Sequence, residues 1–291
     1  MKLVRYLDAQ NTPQLGVHQG TDVYPVQGYT NVQELMHKEF SALQQLPLGS
    51  AVPLASVRLL APIQPERNII CVGWNYLKHY TESIGKREGQ EQDLPEQPTL
   101  FTKATTSLAH PGQTLPLHSS LTQRLDWEVE LAVIIGKAGR DITEQEALNY
   151  VFGYTIANDI SARDLQRAHG GQWFKGKSLD GTCPLGPFIL TADELPNPQA
   201  LDIACLLNGE VMQASNTERQ IFSVAKVIAE VSAGMTLLPG DIILTGTPDG
   251  IGNARTPPIF IKAGDVIECR IQGLGALIND FQDQPAATFS S

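Results

Sequence analysis

The chain has 291 residues, 42% hydrophobic and 18% charged, enough to bury a large core in one big domain or in one domain with a small appendage. Its formal net charge of −10 argues against a nucleic-acid surface, because phosphate backbones are held by clustered Lys and Arg; a small anionic substrate stays open, since one local cation or metal can hold it. The four cysteines, Cys71, Cys183, Cys205 and Cys269, form no C-x-x-C pair, which leaves a zinc ribbon or redox motif unsupported, and neither a signal region nor a bilayer-length apolar stretch is present, so reduced thiols, no membrane and a cytoplasmic location are expected.

Short strands are predicted at 2–7, 14–18 and 22–25, then a helix over 32–46. Residues 1–60 read as a small N-terminal α+β domain without a reacting group; His18 and His37 lack acidic or cysteine partners and are expected to pack or face solvent. Residues 61–67 read as a linker, with the main domain over 68–285. A buried strand at 68–73 ends at Gly73, and a short helix is predicted over 74–82. On that helix His79 and Glu82 lie i and i+3. Spacing alone favours an exposed polar pair, but the same spacing lets the carboxylate orient the imidazole as a general base. The polar stretch 85–93 predicts a mobile loop, and a helix attached to one makes a natural lid.

Strand character resumes at 98–103, and His110 and His118 fall in turns, a position that gives no reason to prefer an approach to a metal over solvent exposure. The next stretch, L-D-W-E-V-E-L-A-V-I-I over 125–135, alternates so that Trp127, Val129, Leu131 and Val133 share one face, and Glu128 and Glu130 the other. Two acids on one strand face are either solvated or, if buried, compensated by a proton or a hard cation. Asp159 ends a further apolar run and offers a third oxygen ligand. Thr143 to Glu146 form a capping box for a helix ending near Gly153, and residues 161–164 open a weaker helical turn that carries Gln166.

Residues 171–178 satisfy G-x-x-x-x-G-K-S. A phosphate cradle needs a strand before it and a helix after it, and neither flank fits; Trp173 and Phe174 are also bulky for a phosphate nest. Nucleotide binding is therefore not expected, while Lys177 reads as a buried cation near the carboxylates. Beyond it, the sequence predicts a strand at 187–190, a hairpin over 203–213 with Asn208-Gly209 at its tip, an amphipathic helix marked by Ile221, Val224, Ile228 and Val231, and a strand at 242–245. The Gly/Thr loop 246–252 could hold a carboxylate on its open amides or be a plain turn. Strands at 258–261, 266–271 and 276–280 close a β-dominated chain.

Five ordered motifs together resemble the fumarylacetoacetate hydrolase family: N-Y-x-x-H-x-x-E from Asn75, E-V-E-L-A-V-I-I-G-K from Glu128, N-D-I-S-A-R-D from Asn158, K-S-L-D-G-x-C-P-L-G-P from Lys177, and L-T-G-T-P-x-G-I-G from Leu244. The resemblance runs from about 68 to 280 and implies a mixed β-sandwich roll, a homodimer, and Mg²⁺ or Mn²⁺ on Glu128, Glu130 and Asp159. It further implies catalytic roles for His79, Glu82 and Lys177, and substrate contacts from Arg163, Gln166, Thr247 and Tyr76. The segment 85–98 is longer and more polar than that pattern, which leaves substrate choice open. Members act on 2-oxo acids carrying a second carbonyl or carboxylate. The leading expectation is hydrolysis of a C–C bond in an acylpyruvate-like diketo acid, with His79 activating water and Lys177 steadying developing charge. Decarboxylation and keto–enol isomerisation share the same enolate and stand as the alternative; a non-catalytic metal-binding relative is the reading of another class.

Overall fold

A computed structural model describes residues 1–38, 40–84 and 93–283; the expected mobile loop lies outside them except for Asp93. The run Val129–Ile135 is buried on both faces, with Val129, Leu131, Val133 and Ile135 in one apolar cluster and Ala132 and Ile134 in another. A strand covered on both sides belongs at the centre of a sheet. It pairs antiparallel with Val151–Asn158 on one edge and with Ile242–Leu244 on the other. Outward from Ile242–Leu244 the sheet continues through Ile69–Gly73, the parallel neighbour, to Thr99–Lys103. In the other direction it continues through Cys183–Thr191 into Lys2–Leu7, Pro13–Gln19 and Asp22–Pro25. One sheet therefore runs from the N-terminal strands through the strand preceding the His79 helix to Thr99–Lys103.

A second, five-stranded sheet packs on this one: Glu210–Asn216, Asp202–Leu207, Val266–Ile271, Gly275–Gln282 and Leu115–Pro116. Ile203, Cys205, Ile267, Cys269 and Leu277 face Val129, Leu131 and Val133 in one cluster, which makes the β-dominated sandwich that the sequence predicts. The hairpin tip is Asn208-Gly209, both at positive φ (52° and 85°), as a tight two-residue turn requires. The amphipathic helix is Val224–Ser232, capped by Ser223, whose hydroxyl accepts from the Lys226 N–H at 3.1 Å.

Three expected elements differ. Instead of a helix over 32–46, a 3₁₀ turn at Gln33–Leu35 and a short helix at Phe40–Leu43 suffice to bury Val32, Leu35, Met36 and Leu43, so no longer helix is needed to cover the sheet. The capping box at 143–146 opens only a 3₁₀ turn, Ala147–Tyr150: Thr143 spends its hydroxyl on the Glu146 carboxylate (3.1 Å), and the apolar run from Val151 is claimed by the sheet. Gly153 is thus a strand residue, where a Cβ would collide with the Leu190 carbonyl. Residues 258–261 form no strand; consecutive Pro257 and Pro258 remove two ladder donors, and the chain is tied by Ile261 N–H to the Leu125 carbonyl at 2.9 Å. The expected linker is packed rather than loose, with Ala61, Pro62 and Ile63 buried.

His110 fastens that packed segment. Its Nδ1 accepts the Ala61 N–H at 3.1 Å, which requires the neutral ring, and burial, with Arg5 and Arg58 nearby, pulls its pKa below the ordinary 6.5. A group depressed on folding contributes stability that is present above its unfolded pKa and is lost as pH falls through the folded one. The wild-type Tm is therefore expected to fall more between pH 7.5 and 5 than that of His110→Gln; parallel curves in thermal melts would discard this assignment.

Candidate active site

The central strand delivers Glu128 and Glu130 to the same face, as alternation demands, and Asp159 follows Val151–Asn158, the neighbouring strand. All three are at most 4% exposed, and one oxygen of each lies within 4.8 Å of the others. Unpaired, such a trio would cost several kcal/mol or more. Two lysines answer part of that charge. Lys177 Nζ donates to Glu128 Oε2 at 2.8 Å and to Asp159 Oδ2 at 2.5 Å, and Lys103 Nζ donates to Asp159 Oδ1 at 2.7 Å. Arg163 Nη1 stands 2.7 Å from Glu128 Oε1, while its Nε bonds Asp126 Oδ2 at 2.8 Å.

Glu130 is treated differently. Among the described residues no cation lies within ion-pair distance of it, and it accepts instead from the Gly246 N–H, 2.6 Å from Oε2. Burial, then Asp159 and Glu128, push its pKa well above the ordinary carboxylate value. Burial also disfavours a charged Glu128, but Lys177 and Arg163 outweigh it and hold that carboxyl well below the usual range. Burial opposes a charged Lys177 too, and Asp159 and Glu128 prevail, raising its pKa. An all-oxygen, triply acidic donor set with one uncompensated member fits a hard divalent cation, which is how these residues could hold Mg²⁺ or Mn²⁺. Cys71 and Cys183 lie near the trio but are fully buried, and burial pushes Cys183 to about 12, so neither supplies a thiolate.

His79 and Glu82 come from the helix Leu77–Glu82, where i,i+3 spacing puts Nδ1 at 2.8 Å from Glu82 Oε1. His79 is 5% exposed, not the surface pair that spacing alone favours, and Glu82 is anchored by the Gly250 N–H at 2.9 Å. Asn75 holds this corner: its Nδ2 reaches the Phe222 and Thr245 carbonyls at 2.9 and 2.8 Å, and its Oδ1 accepts from the Phe222 N–H.

A cavity of about 110 Å³ opens over this group, with His79, Glu128, Glu130, Arg163, Gln166, Lys177 and Thr247 on its walls. Arg163 Nη2 is buried with no partner among the described residues, whereas Nη1 also meets Gln166 Oε1 at 3.3 Å. Thr247 reaches the cavity, but its hydroxyl donates to the Val129 carbonyl and accepts from Gln213 Nε2, both at 2.9 Å; binding a carboxylate through that hydroxyl would break the first bond. Tyr76 is 1% exposed and off the cavity wall, its phenol pKa raised by burial and then by Glu130. Asp159 lies beneath the lysines rather than on the surface of the cavity.

The amides of the loop 246–252 do hold carboxylates, but the protein's own: Gly246 binds Glu130, Gly250 binds Glu82, and Gly252 with Asn253 binds Asp126. Gly246 and Gly250 sit at φ 95° and 102°, and a Cβ on Gly250 would strike the Met212 carbonyl. The G-x-x-x-x-G-K-S stretch contains the helix Phe174–Lys177, and Gly176 is small because a Cβ would strike the Gln166 backbone. Its lysine faces carboxylates, so it is no phosphate nest. His110 and His118 stay out of the cluster, His118 bonding the Asp180 carbonyl at 2.8 Å. Sequence reasoning missed Lys103, Asp126 and Gln213. A lysine closing the apolar run P-T-L-F-T-K and an aspartate inside the buried L-D-W were the available signals; Gln213 had none.

Residues 68–282 match the family described as Fumarylacetoacetate (FAA) hydrolase C-terminal, and residues 1–62 match that described as Rv2993c-like, N-terminal. The chain is 46% identical over 234 residues to oxaloacetate tautomerase YisK of Bacillus subtilis, covering 80% of this chain and 76% of that one. It is 38% identical over 293 residues to the mitochondrial oxaloacetate tautomerase fahd2 of Xenopus laevis, covering 96% and 89%. Among solved structures, a fumarylacetoacetate hydrolase from psychrophilic Exiguobacterium antarcticum superposes with a TM-score of 0.84 at 40% identity, covering 98% of this chain and all of that one. A 5-carboxymethyl-2-hydroxymuconate delta-isomerase from Mycobacterium smegmatis gives 0.77 at 33% identity, again over 98% and 100%. No described helix is long and apolar enough to cross a membrane.

Proposed function

This chain is an enzyme of the fumarylacetoacetate hydrolase family, and from that membership we propose that it is a divalent-metal-dependent keto–enol tautomerase of a small 2-oxo dicarboxylate of the oxaloacetate kind. The observation that carries this is the cavity: Glu128 and Glu130 line it with Asp159 buried behind them, and Arg163, whose Nη2 has no partner among the described residues, stands on its wall, in a space of about 110 Å³. That is well below the roughly 300–1,000 Å³ of sites for drug-sized ligands. The motifs in the sequence lead first to hydrolysis of a diketo acid; the tautomerase and isomerase names of the relatives favour the alternative, keto–enol isomerisation.

Glu128, Glu130 and Asp159 would hold the divalent ion, which supplies Lewis acidity toward a 2-oxo carboxylate. Arg163 Nη2 offers the buried donor that a substrate carboxylate completes. His79, its Nδ1 engaged by Glu82, presents Nε2 as the proton carrier: it accepts the proton of the enol hydroxyl, and a proton is returned to C3, with no net change in protons. Lys177, kept cationic by Glu128 and Asp159, steadies the enolate charge between those two events.

The test follows enol-oxaloacetate disappearance after EDTA treatment and after restoring Mg²⁺ or Mn²⁺, with an acylpyruvate in parallel. Metal-dependent acceleration with little acylpyruvate cleavage is expected; cleavage without acceleration would return the reading to hydrolysis. Sedimentation of the same preparation reports whether the expected homodimer forms.

A further inference from the structure

Part of the cavity wall is aromatic, formed by Trp74, Phe101 and Trp173, and its backbone is strained at Trp74. Trp74 adopts φ 53°, a left-handed conformation that a bulky side chain holds only when its surroundings force it, at a cost of order 1–3 kcal/mol. Such strain clusters where a site needs a fixed shape. Trp74 meets Tyr80 edge-on (6.3 Å, 90°) and Trp173 edge-on (4.9 Å, 82°), and Trp173 in turn packs on Phe101 (5.1 Å, 62°). Phe101 lies beneath the Lys177 ammonium, 5.0 Å from its ring centroid, so the ring stack reaches from the buried cation to the His79 helix. Trp173 is seated on Gly73: a Cβ there would lie 2.6 and 2.8 Å from its Cζ3 and Cη2. The glycine that ends the strand Ile69–Gly73 is thus the space into which the indole fits.

We propose that Trp173, seated against Gly73 and braced by Trp74 and Phe101, limits the length of the substrate and restricts the enzyme to short 2-oxo diacids. The proposal rests on the reading of the site as a 2-oxo dicarboxylate enzyme and adds what excludes longer members of that class. A ring that fills space discriminates against added methylenes, each worth about 10–200-fold in such pockets.

The experiment compares kcat/KM for a seven-carbon and a four-carbon 2-oxo diacid in wild type, Trp173→Ala and Gly73→Ala, alongside calorimetric binding of succinate and adipate to the Mn²⁺-loaded proteins. Trp173→Ala is expected to raise the long-to-short ratio, in turnover and in binding, by about tenfold or more. Gly73→Ala should drive the ring into the cavity and lower that ratio. Unchanged ratios in both variants, with Mn²⁺ still bound, would overturn the proposal. If wild type turns over neither acid, the tautomerase reading fails while the succinate–adipate series still tests the wall.

Discussion

Glu130→Gln is expected to lower Mn²⁺ affinity by at least roughly 100-fold, more than the 10–100-fold typical of an outer-shell change, and to abolish turnover, without unfolding the protein. Glu130 alone of the trio has no cation within ion-pair reach among the described residues, and burial with two neighbouring acids already disfavours its charge. A neutral amide of the same shape can still accept the Gly246 N–H and removes repulsion from Asp159 and Glu128. Metal-free variant should therefore melt no lower than metal-free wild type. The difference appears on adding metal: a ligand at 100 times its Kd stabilises by about 2.7 kcal/mol, and the variant should miss that gain at the same concentration. Equal Mn²⁺-induced shifts in the two proteins would show that Glu130 is not a ligand.

His79→Ala is expected to behave in the opposite way, retaining the metal-induced shift and losing about 10²–10⁴-fold in kcat, the usual worth of a positioned proton carrier. His79 stands on the cavity wall with Nδ1 committed to Glu82, and Glu82 is committed in turn to the Gly250 N–H, so the ring is held by a chain of bonds that ends in backbone. Glu82→Gln keeps a partner for the ring but not its charge and should fall between wild type and His79→Ala. Wild-type turnover in His79→Ala would remove His79 as the proton carrier and transfer the step to another group on the cavity wall, with Lys177 the first to test.

Much of the site was readable because alternation is a local property. Two glutamates spaced by one residue must share a strand face, and a histidine three residues before a glutamate must share a helix face, wherever the elements end up. The same local reasoning failed where a segment's fate lies with its neighbours. Thr143 to Glu146 carry the composition of a helix start, yet the run from Val151 is claimed by strands on both sides, and the helix shrinks to one turn. Lys103 was passed over because a lysine at a strand end ordinarily reaches solvent; only the fold reveals that its ammonium meets Asp159 with no exposure at all.

By itself the sequence determined the β-dominated class and the shared faces of Glu128 with Glu130 and of His79 with Glu82, since each depends on residue order and backbone periodicity, while the family and its sandwich followed from the resemblance carried by five ordered motifs. The tertiary structure decided which charges are paired and which is left over, because desolvation acts on whatever is brought together from distant parts of the chain. Lys103, Lys177 and Arg163 converge on Glu128 and Asp159, while among the described residues Glu130 receives an amide and no cation. It also decided that the loop amides serve the protein's own carboxylates, and that Trp173 rests in the space left by Gly73, contacts between residues 100 to 168 positions apart that no local pattern encodes.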